Sequence, residues 1–248
     1  MTEKIVSEFR ARLGIIYPAP AIVAEREFYS VLPETITVCT TRVPLSRTTP
    51  DGLLETVEHA CEAGKLLAQA RVDVIGFLCT AGSLIRGAEF DQALSSKIKE
   101  VTGIETVTTA ASAVEALHSI SAKKVVVVTP YSQEINRLER SFLEAHGLEV
   151  LAIAGLDLTD PYQISQVTPT EIYLFSRKLW ERKADALFIS CTGIATFPII
   201  DSLEEDIGKP VVTSNQASLW FMLKTARVNL TIPQRGLLLS GHPANPQK

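Results

Sequence analysis

The chain has 248 residues, 46% hydrophobic and 21% charged, with a net charge of −4. That is the composition of a folded globular protein, long enough for a large core in one or two domains. With no Lys/Arg run it lacks the footprint of a nucleic-acid binder, and no apolar stretch reaches the roughly 18–20 residues of a membrane helix.

Residues 1–12 are polar, carry charges of both signs and lack the apolar core of a secretory signal, so a cytoplasmic protein is expected. Short continuous apolar runs then follow one another along the chain. Residues 13–17 and 35–40 read as buried strands. Residues 51–70 read as one long helix, with Thr49 or Asp51 as N-cap around Pro50. Further strands are expected at 72–78, 125–129, 149–153, 186–190 and 211–213, and a helix at 168–183, opened by Thr168-Pro169-Thr170-Glu171. Strand-helix alternation of this kind predicts an α/β protein with parallel sheets covered by helices.

An internal repeat divides the chain. Val72-Asp73-Val74-Ile75-Gly76-Phe77-Leu78-Cys79-Thr80 resembles Ala184-Asp185-Ala186-Leu187-Phe188-Ile189-Ser190-Cys191-Thr192, 112 positions later. The same offset carries Pro18 onto Pro130, each at the end of an apolar run. Gly103-Ile104-Glu105-Thr106-Val107-Thr108 parallels Gly208-Lys209-Pro210-Val211-Val212-Thr213 at an offset shorter by a small deletion. The expectation is two pseudo-symmetric lobes, each a mainly parallel sheet flanked by helices. Residues 1–108 would form the first, completed by 217–248, and 109–216 the second. Segments 109–120 and 214–225 would cross between the halves or cap them. Ligands of open parallel sheets bind beyond the carboxyl ends of the strands, and Pro18, Cys79, Pro130 and Cys191 all stand at such ends. An active site in the cleft between the lobes follows.

The four cysteines, Cys39, Cys61, Cys79 and Cys191, match no zinc or Cys-x-x-Cys spacing, and in a reducing compartment they are free thiols. Cys39 and Cys61 read as core filling. Cys79 and Cys191 each end a strand before a glycine-bearing turn, where a helix should start and its amides should lower a thiol pKa from about 8.5. Those amides and the Thr80 and Thr192 hydroxyls can hold a carboxylate. Two thiols on opposite faces of a planar carbanion make a racemase, and a thiolate that adds to an alkene, permits rotation and leaves makes a cis–trans isomerase. Neither needs a metal or organic cofactor. His59, His118, His146 and His242 lack metal-ligand spacing and read as structural, and the chain has no GxGxxG or phosphate-loop motif.

From about Leu13 to Gly241 the chain resembles the arylmalonate decarboxylase and maleate cis–trans isomerase group of the aspartate/glutamate racemase superfamily. The resemblance rests on Gly14-Ile15-Ile16-Tyr17-Pro18, Thr49-Pro50-Asp51-Gly52, Cys79-Thr80-Ala81-Gly82-Ser83 and Arg86-Gly87-Ala88-Glu89-Phe90. It continues in Thr129-Pro130-Tyr131, Ser190-Cys191-Thr192-Gly193 and Thr213-Ser214-Asn215-Gln216-Ala217. It implies a two-lobed α/β fold with the site between lobes, and a substrate carboxylate held by Thr80, Tyr131 and the backbone at Ala81, Thr192 and Gly193. The group's decarboxylases keep only the second cysteine, with glycine at the first position, so Cys79 points to an isomerase. Maleate isomerases carry an asparagine shortly after the first strand. Here Pro18-Ala19-Pro20-Ala21-Ile22 has none and suggests an apolar wall, to which Val43 would add. The expected substrate is a small acid with one carboxylate and a less polar second group. A malonate-type decarboxylase using mainly Cys191, or a non-catalytic small-molecule binder, would fit the same features less fully. A homo-oligomer is compatible with all three.

Overall fold

The computed structural model describes residues 11–241, so residues 1–10 and 242–248, His242 among them, lie outside the described part. In chain order the elements are β1 (Ala11–Pro18), α1 (Val23–Tyr29), β2 (Ile36–Val43), α2 (Pro50–Glu58), α3 (Ala60–Gln69), β3 (Val74–Phe77), α4 (Thr80–Leu84), α5 (Ala88–Thr102), β4 (Thr106–Thr108) and α6 (Thr109–Ser119). The second half runs β5 (Lys124–Thr129), α7 (Gln133–Ala145), β6 (Glu149–Gly155), α8 (Pro161–Gln166), α9 (Pro169–Leu179), β7 (Ala186–Ile189), a 3₁₀ turn (Phe197–Ile199), α10 (Ile200–Ile207), β8 (Val211–Thr213), α11 (Ser214–Thr225) and α12 (Gly236–Ser240).

The two four-stranded sheets have the same order, β2-β1-β3-β4 and β6-β5-β7-β8, and every pairing is parallel. The central strands explain the continuous apolar runs: β3 and β7 are buried at every residue, because helices cover both faces. The repeat is therefore architectural. Leu13 pairs with Val74 and Val125 with Ala186, and the strand ends bearing Cys79 and Cys191 point to the same side of their sheets relative to the chain direction. The helices after the last strand of each sheet, α6 and α11, pack against each other; α6 touches β4 and β8, and α11 touches β3, β4 and β8. Both are capped by the threonine that ends the strand, Thr108 and Thr213.

Three details depart from the sequence reading. The helix expected over 51–70 is two helices, broken at His59, because α2 turns away to pack on α4 while α3 lies against α5 and β2. The helix from Thr168 carries the predicted cap, a Thr168–Glu171 capping box, but ends at Leu179, where Trp180 becomes extended. The three-residue strand β4, with a threonine on either side of Val107, was not expected as a strand, although its kinship to the equally short β8 was visible. No described helix is long and apolar enough to cross a membrane.

Candidate active site

Four strands deliver the site. Pro18 closes β1, Cys79 follows β3, Pro130 and Tyr131 follow β5, and Cys191 follows β7. Cys79, Thr80, Ala81 and Pro18 from the first half, and Tyr131, Cys191, Thr192 and Gly193 from the second, line one cavity of about 30 Å³. The space is narrow, room for about two waters, so a substrate has to part the walls to enter. Ala21, Leu45, Thr48, Leu53, Pro161 and Ile164 complete the lining. No lysine, arginine or histidine is among the lining residues, so a carboxylate there would have to be held by neutral donors. Val43, expected in the apolar wall, does not line the cavity. It ends β2 paired with Pro18 and is sealed in the core, and Leu45, beyond the strand, supplies the wall instead.

The two sulfurs sit in unlike surroundings. Cys79 is extended, immediately ahead of α4, and its sulfur receives the Gly82 N–H. A Cβ at Gly82 would stand 2.9 Å from that sulfur, so only glycine allows the approach. No helix follows Cys191, contrary to expectation. The chain makes an irregular turn until the 3₁₀ segment at Phe197, and Cys191 has φ 137°, a conformation that L-residues adopt only under constraint. The constraint is visible. The Cys191 N–H donates to Ser214 Oγ at 2.9 Å, the Thr192 hydroxyl donates to the Leu78 carbonyl at 3.1 Å, and Tyr17 donates to the Thr192 carbonyl at 2.9 Å. The Gly193 N–H, 3.2 Å away, and the Tyr131 hydroxyl both face the Cys191 sulfur and favour its thiolate.

These donors do not win. Burial pushes the Cys79 thiol up to about 12 and the Cys191 thiol up to about 11, so both are protonated at neutral pH before anything binds. The expected acidification by amides is present but smaller than the cost of putting a thiolate in a dry cavity. The threonine hydroxyls also differ from expectation. Thr80 donates to Ser214 Oγ at 3.0 Å and Thr192 to Leu78, and since a hydroxyl has one hydrogen, neither is free to donate to a carboxylate. In the first turn of α4 the Gly82 amide is taken by the Cys79 sulfur, and the Thr80 and Ala81 amides, with no carbonyl behind them, remain the available donors.

Several residues that the sequence reading missed hold this arrangement. Ser214 joins both halves by accepting from Thr80 and Cys191 together. Glu27, buried on α1, accepts from the Thr196 and Phe197 N–H groups in the turn after Cys191 and from the Asn215 amide. Thr48 N–H donates to the Thr159 carbonyl at 2.8 Å, tying the loop after β2 to the loop after β6 beside the cavity. Ser214 stood inside a noted motif; Glu27 and Thr48 had no local signal. Cys39 and Cys61 are half-buried against the core, as read. His146 ends α7 against Phe142, and His118 bonds the His146 carbonyl. Among the described residues, no cluster of three or more His, Cys, Asp or Glu could hold a metal ion.

Three buried carboxyls are also raised by burial: Glu27 and Glu139 to about 7, and Asp91 to about 6. Each holds its proton more tightly in the folded state than in the unfolded one. Their stabilisation is complete below the ordinary value near 4.5 and is lost as pH rises toward 7. Glu139→Gln should remove one contribution, so its melting temperature should drop less than that of the wild type between pH 5 and pH 7.5. Equal drops in the two proteins would contradict the assignment.

Comparison with known proteins agrees with this architecture. The family model described as arylmalonate decarboxylase matches residues 13–239. A maleate isomerase of Pseudomonas putida is 25% identical over 243 residues, covering 93% of this chain and 97% of that protein. The arylmalonate decarboxylase of Bordetella bronchiseptica is 24% identical over 216 residues, covering 86% and 90%. Among solved structures, the maleate isomerase Iso of Pseudomonas putida S16 with maleate superposes with a TM-score of 0.90 at 24% identity, covering 93% of this chain and 98% of that one. A Nocardia farcinica maleate cis–trans isomerase, a cysteine mutant with a covalently bound succinylcysteine intermediate, superposes equally well at 21% identity, covering 94% and 99%.

Proposed function

This chain belongs to the arylmalonate decarboxylase family, and on that premise we propose that it is a cofactor-independent isomerase, a racemase or epimerase or a cis–trans isomerase, acting on a small carboxylic acid through Cys79 and Cys191. One observation carries the reading: two thiols, one from each half of the repeat, border a single cavity. In racemisation one sulfur, as thiolate, takes the proton from the carbon next to the carboxylate, and the bond electrons move into an enediolate. The opposite thiol gives its proton to the other face and becomes the thiolate. In cis–trans isomerisation a thiolate adds to an alkene carbon, the resulting single bond rotates, and the thiolate leaves with its electrons. Both routes place negative charge on the carboxylate oxygens, where amides from the start of α4 can stabilise it.

The resting thiols are too weakly acidic to be ionised at neutral pH, so the reaction starts from a minor thiolate population. The walls at Pro18, Ala21, Leu45, Leu53 and Ile164 are apolar, which favours one carboxylate and an apolar substituent over a dicarboxylate such as maleate. The same walls, with the family itself, favour a second reading: decarboxylation of a 2-substituted malonate, with Cys191 protonating the product enediolate.

Incubation with 2-substituted monocarboxylic acids, maleate and 2-substituted malonates in deuterated water separates these. Deuterium uptake beside the carboxylate without net conversion, or a changed alkene geometry, is the expected result. Carbon dioxide release that survives Cys79→Gly would move the assignment to decarboxylation. Neither exchange, isomerisation nor release across the panel would end both readings.

A further inference from the structure

The halves repeat more than their strand ends. Glu27 and Glu139 also stand 112 positions apart, each buried on the first helix of its half, α1 and α7. Their partners differ. Glu27 is satisfied by two amides of the turn after Cys191 and by Asn215. The positions matching those amides, Leu84 and Ile85, belong to the end of α4, where N–H groups bond back along the helix. The position matching Asn215 is Ala110, which has no amide side chain. Glu139 is left with the Ser190 hydroxyl, which faces it, and neither group makes a hydrogen bond of ordinary geometry. The structural account that explains Glu27 therefore fails for Glu139, a fully buried carboxyl with a standing cost.

Its position suggests what offsets that cost. Ser190 immediately precedes Cys191, and Tyr131, whose hydroxyl faces the Cys191 sulfur, lies just ahead of α7. We propose that Glu139 is a positioning residue for Cys191: it sets the charge behind the sulfur, so that carboxyl and thiol together carry at most one negative charge during turnover. This rests on the reading of Cys191 as a reacting group. The groups that face Cys191 are Tyr131, the Gly193 and Ile194 amides, Cys79 and Tyr17 from the first half, and Glu139. Among the described residues no cation acts on Glu139 to offset it. Arg140 on its own helix is engaged by Glu144 and the Val150 carbonyl, α4 bears no charge, and Glu149 of β6 pairs with Lys124 at the opposite end of the sheet. An ionised Glu139 raises both Cys191 and Tyr131, and a neutral one releases them.

The test reads the sulfur itself. Iodoacetamide alkylation of Cys191 is followed against pH by peptide mass spectrometry, with Cys79 as internal comparison, in the wild type and in E139Q. The midpoint for Cys191 should fall by about half a pH unit or more in E139Q, while Cys79 moves less. E139D, which keeps the charge, should restore the wild-type profile. An unchanged Cys191 midpoint, or an equal shift at both cysteines, overturns the proposal. Should E139Q not fold, E139M, which removes the same charge at similar volume, replaces it. The Cys191 midpoint should again fall, and an unmoved midpoint again overturns the proposal. Because alkylation needs no turnover, this coupling can fail while the isomerase reading stands, and the reverse.

Discussion

Cys79→Ala and Cys191→Ala are each expected to lower kcat/KM on the order of a thousandfold or more, with the fold intact. The size follows from what each sulfur would do. A positioned acid or base contributes about 10²- to 10⁴-fold. In a two-sided reaction, loss of either partner blocks the path in both directions, so the double mutant should be little worse than each single one. The substitutions are small, and both side chains border a cavity rather than fill a close-packed interior, so circular dichroism and melting should stay near wild type. A sharper form separates the chemistry. With Cys191→Ala, deuterium exchange at the acidic carbon can persist from the Cys79 side while inversion stops. Near-normal inversion in both single mutants would remove the cysteine pair from the mechanism.

The second large effect is on stability. Glu27→Ala should destabilise the protein by roughly 2–5 kcal/mol, because it leaves the Thr196 and Phe197 amides and the Asn215 side chain without an acceptor in a dry interior. The loss falls on the turn that gives Cys191 its unusual backbone, so activity should drop further than the melting temperature alone predicts. Glu27→Gln keeps one acceptor oxygen and should fall between the two. Denaturant titration gives the stability, and activity at a temperature where each variant is fully folded gives the rest. A loss below about 1 kcal/mol for the alanine variant would mean that water or rearrangement replaces the carboxylate.

The central strands were legible because a strand covered on both faces must be apolar throughout; the edge strands β2 and β6, half-exposed, still carried enough apolar residues to be marked, which makes seven of the eight. Cys79 and Cys191 were legible for a different reason: each is unremarkable alone, and only the shared offset sets them apart. The same offset, applied to charged residues, would have found Glu27 and Glu139 as well. What stayed hidden depends on tertiary geometry. The break at His59 comes from α2 leaning onto α4, which nothing in the continuous amphipathic pattern of 51–70 announces. Leu45, Leu53, Pro161 and Ile164 reach the cavity from loops and helix starts, where chain direction, not periodicity, aims a side chain. The thiol acidity was misjudged because burial cannot be read from a turn motif, and burial outweighs the amides.

The Cys191 backbone and the contrast between Tyr131 and its counterpart Ala19 have a consequence for handedness. A cavity built from two identical halves would offer a ligand two equivalent sulfurs, since a half-turn exchanges its walls. Here one sulfur has a phenol beside it and a strained backbone beneath it, and the other has neither. Mirror-image substrates should then be turned over with different kcat and different KM, although their ratio must equal that set by an equilibrium constant of one.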